Sequence, residues 1–336
     1  PACRRLVLLT RRRANIPEQK CGGRVTVVEG DVRQPCLGLD ASAVAALKDA
    51  VREIVHCAAE TRFDRTLEEA RAANVAGTAN LLALARHCPR LEKFAYISTV
   101  YAAGRASGRI PEAPLDGVKG FSNTYQQSKH EAEKLVVDAM GEMPAAIFRL
   151  SSIIGDSRSG RVRQFNYVHQ ILKLFPRNAL PVAPGDPEAP VDLIPTDWAA
   201  DSLAYLFDSG FRAGRVYHVC AGAERSLTVR EMLELTRELF EAHPKARRWL
   251  PIRVPELAPL AEYEAFVERS RQSDDRLLKE VLRVLGYFLP HLGIHQAFEN
   301  RLATAALAAS GLEFPPVREF YPRVVNYCLE SDWGRL

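Results

Sequence analysis

Apolar residues along this chain fall into two alternating rhythms. Short runs rich in Val, Ile and Leu occupy Leu6 to Thr10, Val25 to Glu29, Glu53 to Cys57, Phe94 to Ser98, Ala146 to Leu150 and Val216 to Val219. Between them lie segments of helical period, Ser42 to Ala50, Leu67 to His87, Thr124 to Met140, Val162 to Leu174 and Thr196 to Phe207. Strands that read as continuous apolar runs are those buried on both faces of a parallel sheet, so the alternation predicts an α/β fold with a doubly wound parallel sheet. From about Ala221 the alternation stops, and Ser226 onward reads as helices separated by Pro-rich links such as Leu250 to Pro255. The expected organisation is a sheet domain over residues 1–220, carrying an insertion near 156–191, and a smaller, mostly helical part over 221–336.

In a sheet of this kind ligands lie beyond the carboxyl ends of the strands. The residues just past each run are Gly30-Asp31-Val32, Cys57-Ala58-Ala59-Glu60-Thr61, Ser98-Thr99 and Ser151-Ser152. The sharpest chemical signal is Tyr125-Gln126-Gln127-Ser128-Lys129 on the helix that follows the fourth strand. Tyr and Lys at this spacing share a helical face, and an ammonium beside a phenol is expected to lower its pKa from about 10 toward neutrality, which suits a general acid/base. The spacing alone also describes a solvated helix face. What changes the reading is Thr99, whose hydroxyl is expected at the ligand edge of the sheet, 26 residues before Tyr125. There it would stabilise charge developing on a carbonyl oxygen. Asn74, in Ala73-Asn74-Val75-Ala76-Gly77-Thr78, is either an exposed helix polar residue or a buried one tying backbone at the site. Gly77 costs a helix about 1 kcal/mol relative to Ala, which fits a close packing role.

Composition narrows the classes. Lys and Arg number 45 against 41 Asp and Glu, a formal charge of +4, and apart from Arg11-Arg12-Arg13 the basic residues are scattered, so nothing favours nucleic acid. Seven cysteines without a Cys-x-x-Cys pair suggest neither a zinc ribbon nor a dithiol site and fit a reducing, cytoplasmic setting. No apolar stretch approaches the roughly 18 to 20 residues of a membrane span, so a soluble protein is expected. His291 and His295 have a spacing a metal could use, but Pro290 and Gly293 break the helix this needs, and no metal is expected. Asp186, Glu188 and Asp192 read as solvated carboxylates around a Pro-rich loop, and Gly104 to Gly120 as a mobile loop on the substrate side.

The Asn-Val-x-Gly-Thr helix, the Ser-Thr strand end and the Tyr-x-x-x-Lys helix, in this order, resemble the extended short-chain dehydrogenase/reductase superfamily. Within it the chain is most similar to fatty acyl-CoA reductases and thioester reductase domains. The stretches that carry this are Gly30-Asp31-Val32, His56 to Phe63, Arg149 to Gly160 and Val191 to Ala199. The resemblance covers roughly residues 1 to 240, with weaker likeness at Phe298 to Arg301 and Tyr327 to Gly334. It implies a Rossmann-like, NAD(P)-binding sheet domain with Thr99, Tyr125 and Lys129 as the catalytic group. By the same likeness Asp31 and Val32 flank adenine, Cys57, Ala58 and Ala59 line the cofactor with Asn74 and Ser152, and Lys129 also holds the nicotinamide ribose. Arg11 stands where these reductases commonly place a basic residue near the adenosine ribose, and a planar cation there suits a 2′-phosphate. The same run reads equally well as solvated charge, so NADP is the expected cofactor and NAD the alternative.

The implied activity is reduction of an acyl thioester, on coenzyme A or a carrier protein, to aldehyde or alcohol. One alternative is nucleotide-sugar epimerase, dehydratase or hydroxysteroid-type dehydrogenase chemistry on the same group, although Val100-Tyr101 offers no acid beside Thr99 for a dehydratase. Another is a non-catalytic dinucleotide-binding regulator. The family's first strand and Gly-x-x-Gly-x-x-Gly turn have no counterpart here, since Gly22-Gly23 stands between predicted strands and Leu6 to Thr10 matches the second strand. The chain opens at Pro1 and is expected to be cut from a longer product, its sheet lacking a central strand.

Overall fold

The computed structural model describes residues 5–11, 24–118, 120–286 and 289–334, with backbone alone at 284, 285, 290 and 291. Arg12, Arg13, Gly22 and Gly23 lie outside the described residues, as does the His291 side chain.

All six expected strands form. They are β1 (Leu6–Thr10), β2 (Val25–Glu29), β3 (Glu53–His56), β4 (Lys93–Thr99), β5 (Ala145–Leu150) and β6 (Val216–Val219). Four of them make a parallel sheet in the order β6-β5-β4-β3. The pair β1 and β2 makes a separate parallel ladder in which Leu8 stands opposite Val27. The two ladders share no strand pairing among the described residues. Strands β1 and β3 each carry an exposed apolar side chain, Leu6 at 45% and Val55 at 52% exposure.

The helices that position the site follow these strands. They are α1 (Ala41–Ala50), α2 (Leu67–Arg71), α3 (Gly77–Ala85), α4 (Thr124–Ala139), α5 (Tyr167–Leu174) and α6 (Thr196–Asp208). Their starts are capped by short polar side chains: Asp40 accepts from the Ala43 amide at 2.8 Å and Asn123 from the Gln126 amide at 3.0 Å. Thr66 and Glu69 cap α2 reciprocally. Helices α1, α3 and α4 bury Val44, Leu81, Leu82, Ala132 and Val136 against Phe94, Tyr96 and Ile147 of the sheet. On the opposite face α6 and the helix Arg301–Leu307 pack Trp198, Leu206 and Leu307 on Phe148 and Val219. No helix among the described residues is long and apolar enough to cross a membrane.

Beyond Ala221 the chain is mostly helical but also contributes short strands. Glu256–Ala258 pairs with Val182–Pro184, and Gln296–Phe298 with Gly108–Ile110. The second pairing corrects the expectation for Gly104 to Gly120. Gln296 Nε2 donates to the carbonyls of Gly104 (3.0 Å) and Ala106 (2.7 Å). Glu112 accepts from the amides of His218 (2.9 Å), Leu302 (2.5 Å) and Ala303 (3.0 Å), so this stretch is tied to both β6 and the C-terminal part.

Two glycines fix close approaches near the strand ends. A Cβ on Gly77 would lie 2.9 Å from Val32 Cγ2, and one on Gly30 would lie 2.7 Å from both the Leu37 carbonyl oxygen and Leu9 Cδ1. The Gly30 obstruction includes backbone and cannot relax by a rotamer change. Gly30→Ala should therefore lower the unfolding free energy by about 1–3 kcal/mol, read as a lower urea midpoint. Gly141→Ala, whose Cβ would meet its nearest neighbour at an ordinary 3.7 Å, should stay within about 0.5 kcal/mol.

Candidate active site

The carboxyl ends of β2, β3 and β4 bring the first group of expected residues to one edge. After β2 the chain turns on a bond from the Asp31 amide to the Leu37 carbonyl (2.8 Å). The Asp31 carboxylate accepts from Arg33 through its amide (3.0 Å), Nε (2.9 Å) and Nη2 (2.5 Å). Arg33, and then the more distant charge of exposed Arg11, hold Asp31 below the usual carboxylate range. Arg11 therefore stands within electrostatic reach of the residue expected beside adenine. Past β3, Cys57, Ala58 and Ala59 are exposed and small.

The second group comes from α4. Its buried face carries Gln126, Ser128, Lys129, Ala132, Glu133 and Val136, the spacing of a helix seated on a sheet. Lys129 Nζ donates to the Ile97 carbonyl (2.8 Å) and sits 4.0 Å from the centre of the Tyr96 ring. Burial lowers its pKa to about 7, with Glu133 and Cys57 acting the other way. The Tyr125 phenol lies beside the Thr99 side chain, and its ring stacks on Phe63 at 5.3 Å. Thr99 Oγ1 also accepts from the Tyr101 amide (3.3 Å). Thr99, Tyr125 and Lys129 are thus brought together, but the expected electrostatics of the phenol are reversed. Burial raises the Tyr125 pKa above its ordinary value, the nearby Thr99 hydroxyl lowers it, and Tyr167 and Glu133 raise it further. Spacing showed the nearby ammonium and could not show how far the phenol is withdrawn from water. A phenol held in this way is an acid that keeps its proton until its partner takes it.

Asn74 is buried and ties backbone. It lies in a π-helical turn, Ala72–Ala76, between α2 and α3, a widening of the helix often found at functional sites. Its Oδ1 accepts from the Glu60 amide (2.8 Å), and its Nδ2 donates to the Glu60 carbonyl (3.0 Å) and to Ser128 Oγ (2.8 Å). Ser128 passes its own proton to the Tyr125 carbonyl (3.0 Å). One amide therefore joins the turn after β3 to the helix carrying Tyr125 and Lys129. Behind it, Thr78 donates to the Asn74 carbonyl (2.6 Å), so the His56 Nε2 contact with Thr78 Oγ1 (3.0 Å) assigns the proton to His56. Burial and the Lys129 charge push this imidazole down to about 3, leaving it neutral.

The far side is lined by hydroxyls that sequence reasoning missed. Ser152, expected toward the cofactor, bonds Tyr101 OH (2.7 Å) and Tyr167 OH, and Tyr167 OH donates to Tyr101 OH (3.3 Å). Phe63 stands between Tyr125 and Tyr167, 5.5 Å from the latter ring. Asp192 departs from the solvated reading: it is buried, and its carboxylate accepts from the amides of Ala221 and Gly222, both at 2.9 Å. Burial raises its pKa. Asp186, by contrast, is at the surface and paired with His295 at 2.7 Å.

The donor set fits the two nucleoside ends of a nicotinamide dinucleotide. Asp31 and Arg11 offer an acceptor and a cation at one end, Lys129 offers donors at the other, and Cys57, Ala58 and Ala59 leave room between. No Gly-x-x-Gly-x-x-Gly turn for the pyrophosphate occurs in the chain. Asn74→Ala should lower stability by about 1–3 kcal/mol, because it strips partners from the part-buried Glu60 backbone. An unchanged urea midpoint would contradict the role given to Asn74.

Comparison with known proteins bears on the family and the fold. A family model described as Male sterility protein, of the NAD-binding type, matches residues 4–203. Over 250 residues the chain is 26% identical to Fatty acyl-CoA reductase wat of Drosophila melanogaster, covering 65% of this chain and 48% of the fly protein. Over 154 residues it is 34% identical to Isonitrile lipopeptide synthase of Streptomyces coeruleorubidus, covering 45% of this chain and 10% of the synthase. In fold it matches the terminal R domain from the myxalamid PKS-NRPS biosynthetic pathway with a TM-score of 0.79 at 24% identity, over 98% of this chain and 85% of that domain. The chain spans about half of the fly reductase and a tenth of the synthase. With an extended short-chain dehydrogenase/reductase fold and a family model matched over most of its length, the chain belongs to the NAD-binding male sterility protein family.

Proposed function

We propose that the protein reduces an acyl thioester, carried on coenzyme A or on a carrier protein, to an aldehyde, with NADPH as reductant. The observation that carries this reading is the Tyr125 phenol set beside the Thr99 side chain, with buried Lys129 one helical turn away. The family match and the two relatives named for reductase and synthase activities agree with it.

The nicotinamide supplies a hydride when bound. The protein's share of the reaction is electrostatic and acid/base. Thr99 and Tyr125 offer two hydroxyls to the carbonyl oxygen as it gains charge, and Tyr125 yields its proton to that oxygen; the hemithioacetal so formed returns this proton to the Tyr125 phenolate as its C–S bond breaks, giving the aldehyde and a thiolate that takes a proton from water. The Lys129 ammonium favours the phenolate that remains. Asp31, Val32, Cys57, Ala58 and Ala59 would hold the dinucleotide with Asn74 fixing their frame, and Arg11 would supply the cation that favours a 2′-phosphate, and so NADPH over NADH. The substrate enters over Tyr101, Ser152 and Tyr167, on the side formed by the insertion near 156–191 and the 221–336 part. These two regions are joined by the pairing of Val182–Pro184 with Glu256–Ala258.

The test is NADPH oxidation by the full-length protein with a long-chain acyl-CoA and with an acyl-carrier protein. Tyr125→Phe should lower kcat by about 10²–10⁴-fold while dinucleotide affinity is kept. Because burial places the Lys129 pKa near 7, the ammonium is lost as pH rises through that value, and kcat/KM should fall on the alkaline side. Full activity in Tyr125→Phe, or kcat/KM that climbs through this range, would overturn the reading.

A further inference from the structure

One helical turn past Lys129, Glu133 is buried where β4, β5 and α4 meet. Its carboxylate accepts from Arg149 of β5 through Nε (3.0 and 3.1 Å) and Nη2 (2.7 Å), and from Ser98 Oγ of β4 at 2.5 Å. Arg149 is 0% exposed. Its Nη1 donates to His218 Nε2 on β6 (3.0 Å), and His218 Nδ1 donates to the Glu299 carbonyl (2.7 Å). Burial, then the Arg149 charge, lowers the His218 pKa to about 3, so the ring is neutral and accepts as this geometry requires. A buried ion pair is weak support for stability, since well-packed apolar residues often do as well. The attachment points say more. Ser98 immediately precedes Thr99, the Ile97 carbonyl holds Lys129, and Glu133 shares the buried face of α4 with Lys129.

We propose that Glu133 is a positioning residue for the active site: with Arg149 and Ser98 it clamps α4 to the ends of β4 and β5, and it fixes a negative charge one turn behind Lys129. The inference rests on the reading of Tyr125 as the acid and Lys129 as its cation. The charged and titratable groups around them are few. Lys129 faces Glu133 on α4, the Tyr96 ring on β4, and Cys57 with neutral His56 at the end of β3. Tyr125 faces Thr99 on β4, Tyr167 on α5 and Glu133. Around Glu133 itself stand Arg149, His130 on α4 and Tyr96 on β4. Glu133 raises the pKa of both Lys129 and Tyr125. Withdrawing the Glu133 charge therefore lowers both, and both protons are then lost at lower pH.

Glu133→Gln in the full-length protein keeps the shape and an acceptor for Ser98 while removing the charge. Two readouts are taken: the pH dependence of kcat/KM, and an ultraviolet titration of the Tyr125 phenol, obtained as the difference from the same protein carrying Tyr125→Phe. The expected result is an alkaline limb and a phenol titration displaced to lower pH by about half a unit to one unit. With them kcat should fall about ten-fold at little change in KM. The double variant Glu133→Leu, Arg149→Met fills the same space without charge, so it should fold if the single variant does not, and it should displace both titrations in the same direction by a smaller amount because the Arg149 charge leaves with that of Glu133. A folded variant with both titrations unmoved overturns the proposal. If Tyr125→Phe turns over as the parent does, the underlying reading fails instead, and the phenol titration still reports on Glu133.

Discussion

An ammonium group withdrawn from water is the constraint on which the site depends. Lys129 is buried at the junction of α4 and β4, and what compensates its lost hydration is specific: the Ile97 carbonyl, the face of Tyr96 and the charge of Glu133. Each compensating group sits on a different register position, so α4 has little freedom to slide or turn. Desolvation also sets Tyr125, whose phenol is raised in pKa and lies beside Thr99. Catalytic geometry and core packing are therefore one problem in this protein.

The other half of the site is made by turns. Asn74 reaches out of a widened helical turn to satisfy both backbone groups of Glu60 and to anchor Ser128, joining the residues after β3 to α4. Gly30 and Gly77 let the β2 turn and α3 approach within distances that a Cβ would forbid. Past β3, Cys57, Ala58 and Ala59 are small and exposed.

Much of this was legible in the sequence because the strands are parallel, and β4, β5 and β6 are buried along most of their length, so that each appears as an apolar run whose end marks the ligand edge. Tyr125 and Lys129 were legible because helical spacing alone puts them on one face, and Thr99 because it closes the fourth run. Other features depend on contacts that no local pattern carries. Glu133 meets Ser98 across 35 residues and Arg149 meets His218 across 69. Asp192, read as solvated, is buried by amides that arrive 29 and 30 residues later. The three-residue ladder that anchors Gly108–Ile110 to Gln296–Phe298 is too short to show a period. The Tyr125 pKa was misjudged for a related reason, since spacing reports which charge is near and says nothing of how dry the site is.

The central claim is that this edge of the sheet directs hydride to the carbonyl carbon of an acyl thioester. The most direct measurement supplies the full-length protein with an acyl thioester and with NADPH deuterated at the transferring carbon of the nicotinamide, and reads the product by mass spectrometry. The account predicts an aldehyde, or the alcohol derived from it, bearing deuterium on the former carbonyl carbon. Bound dinucleotide with the thioester returned unlabelled and unreduced would contradict it.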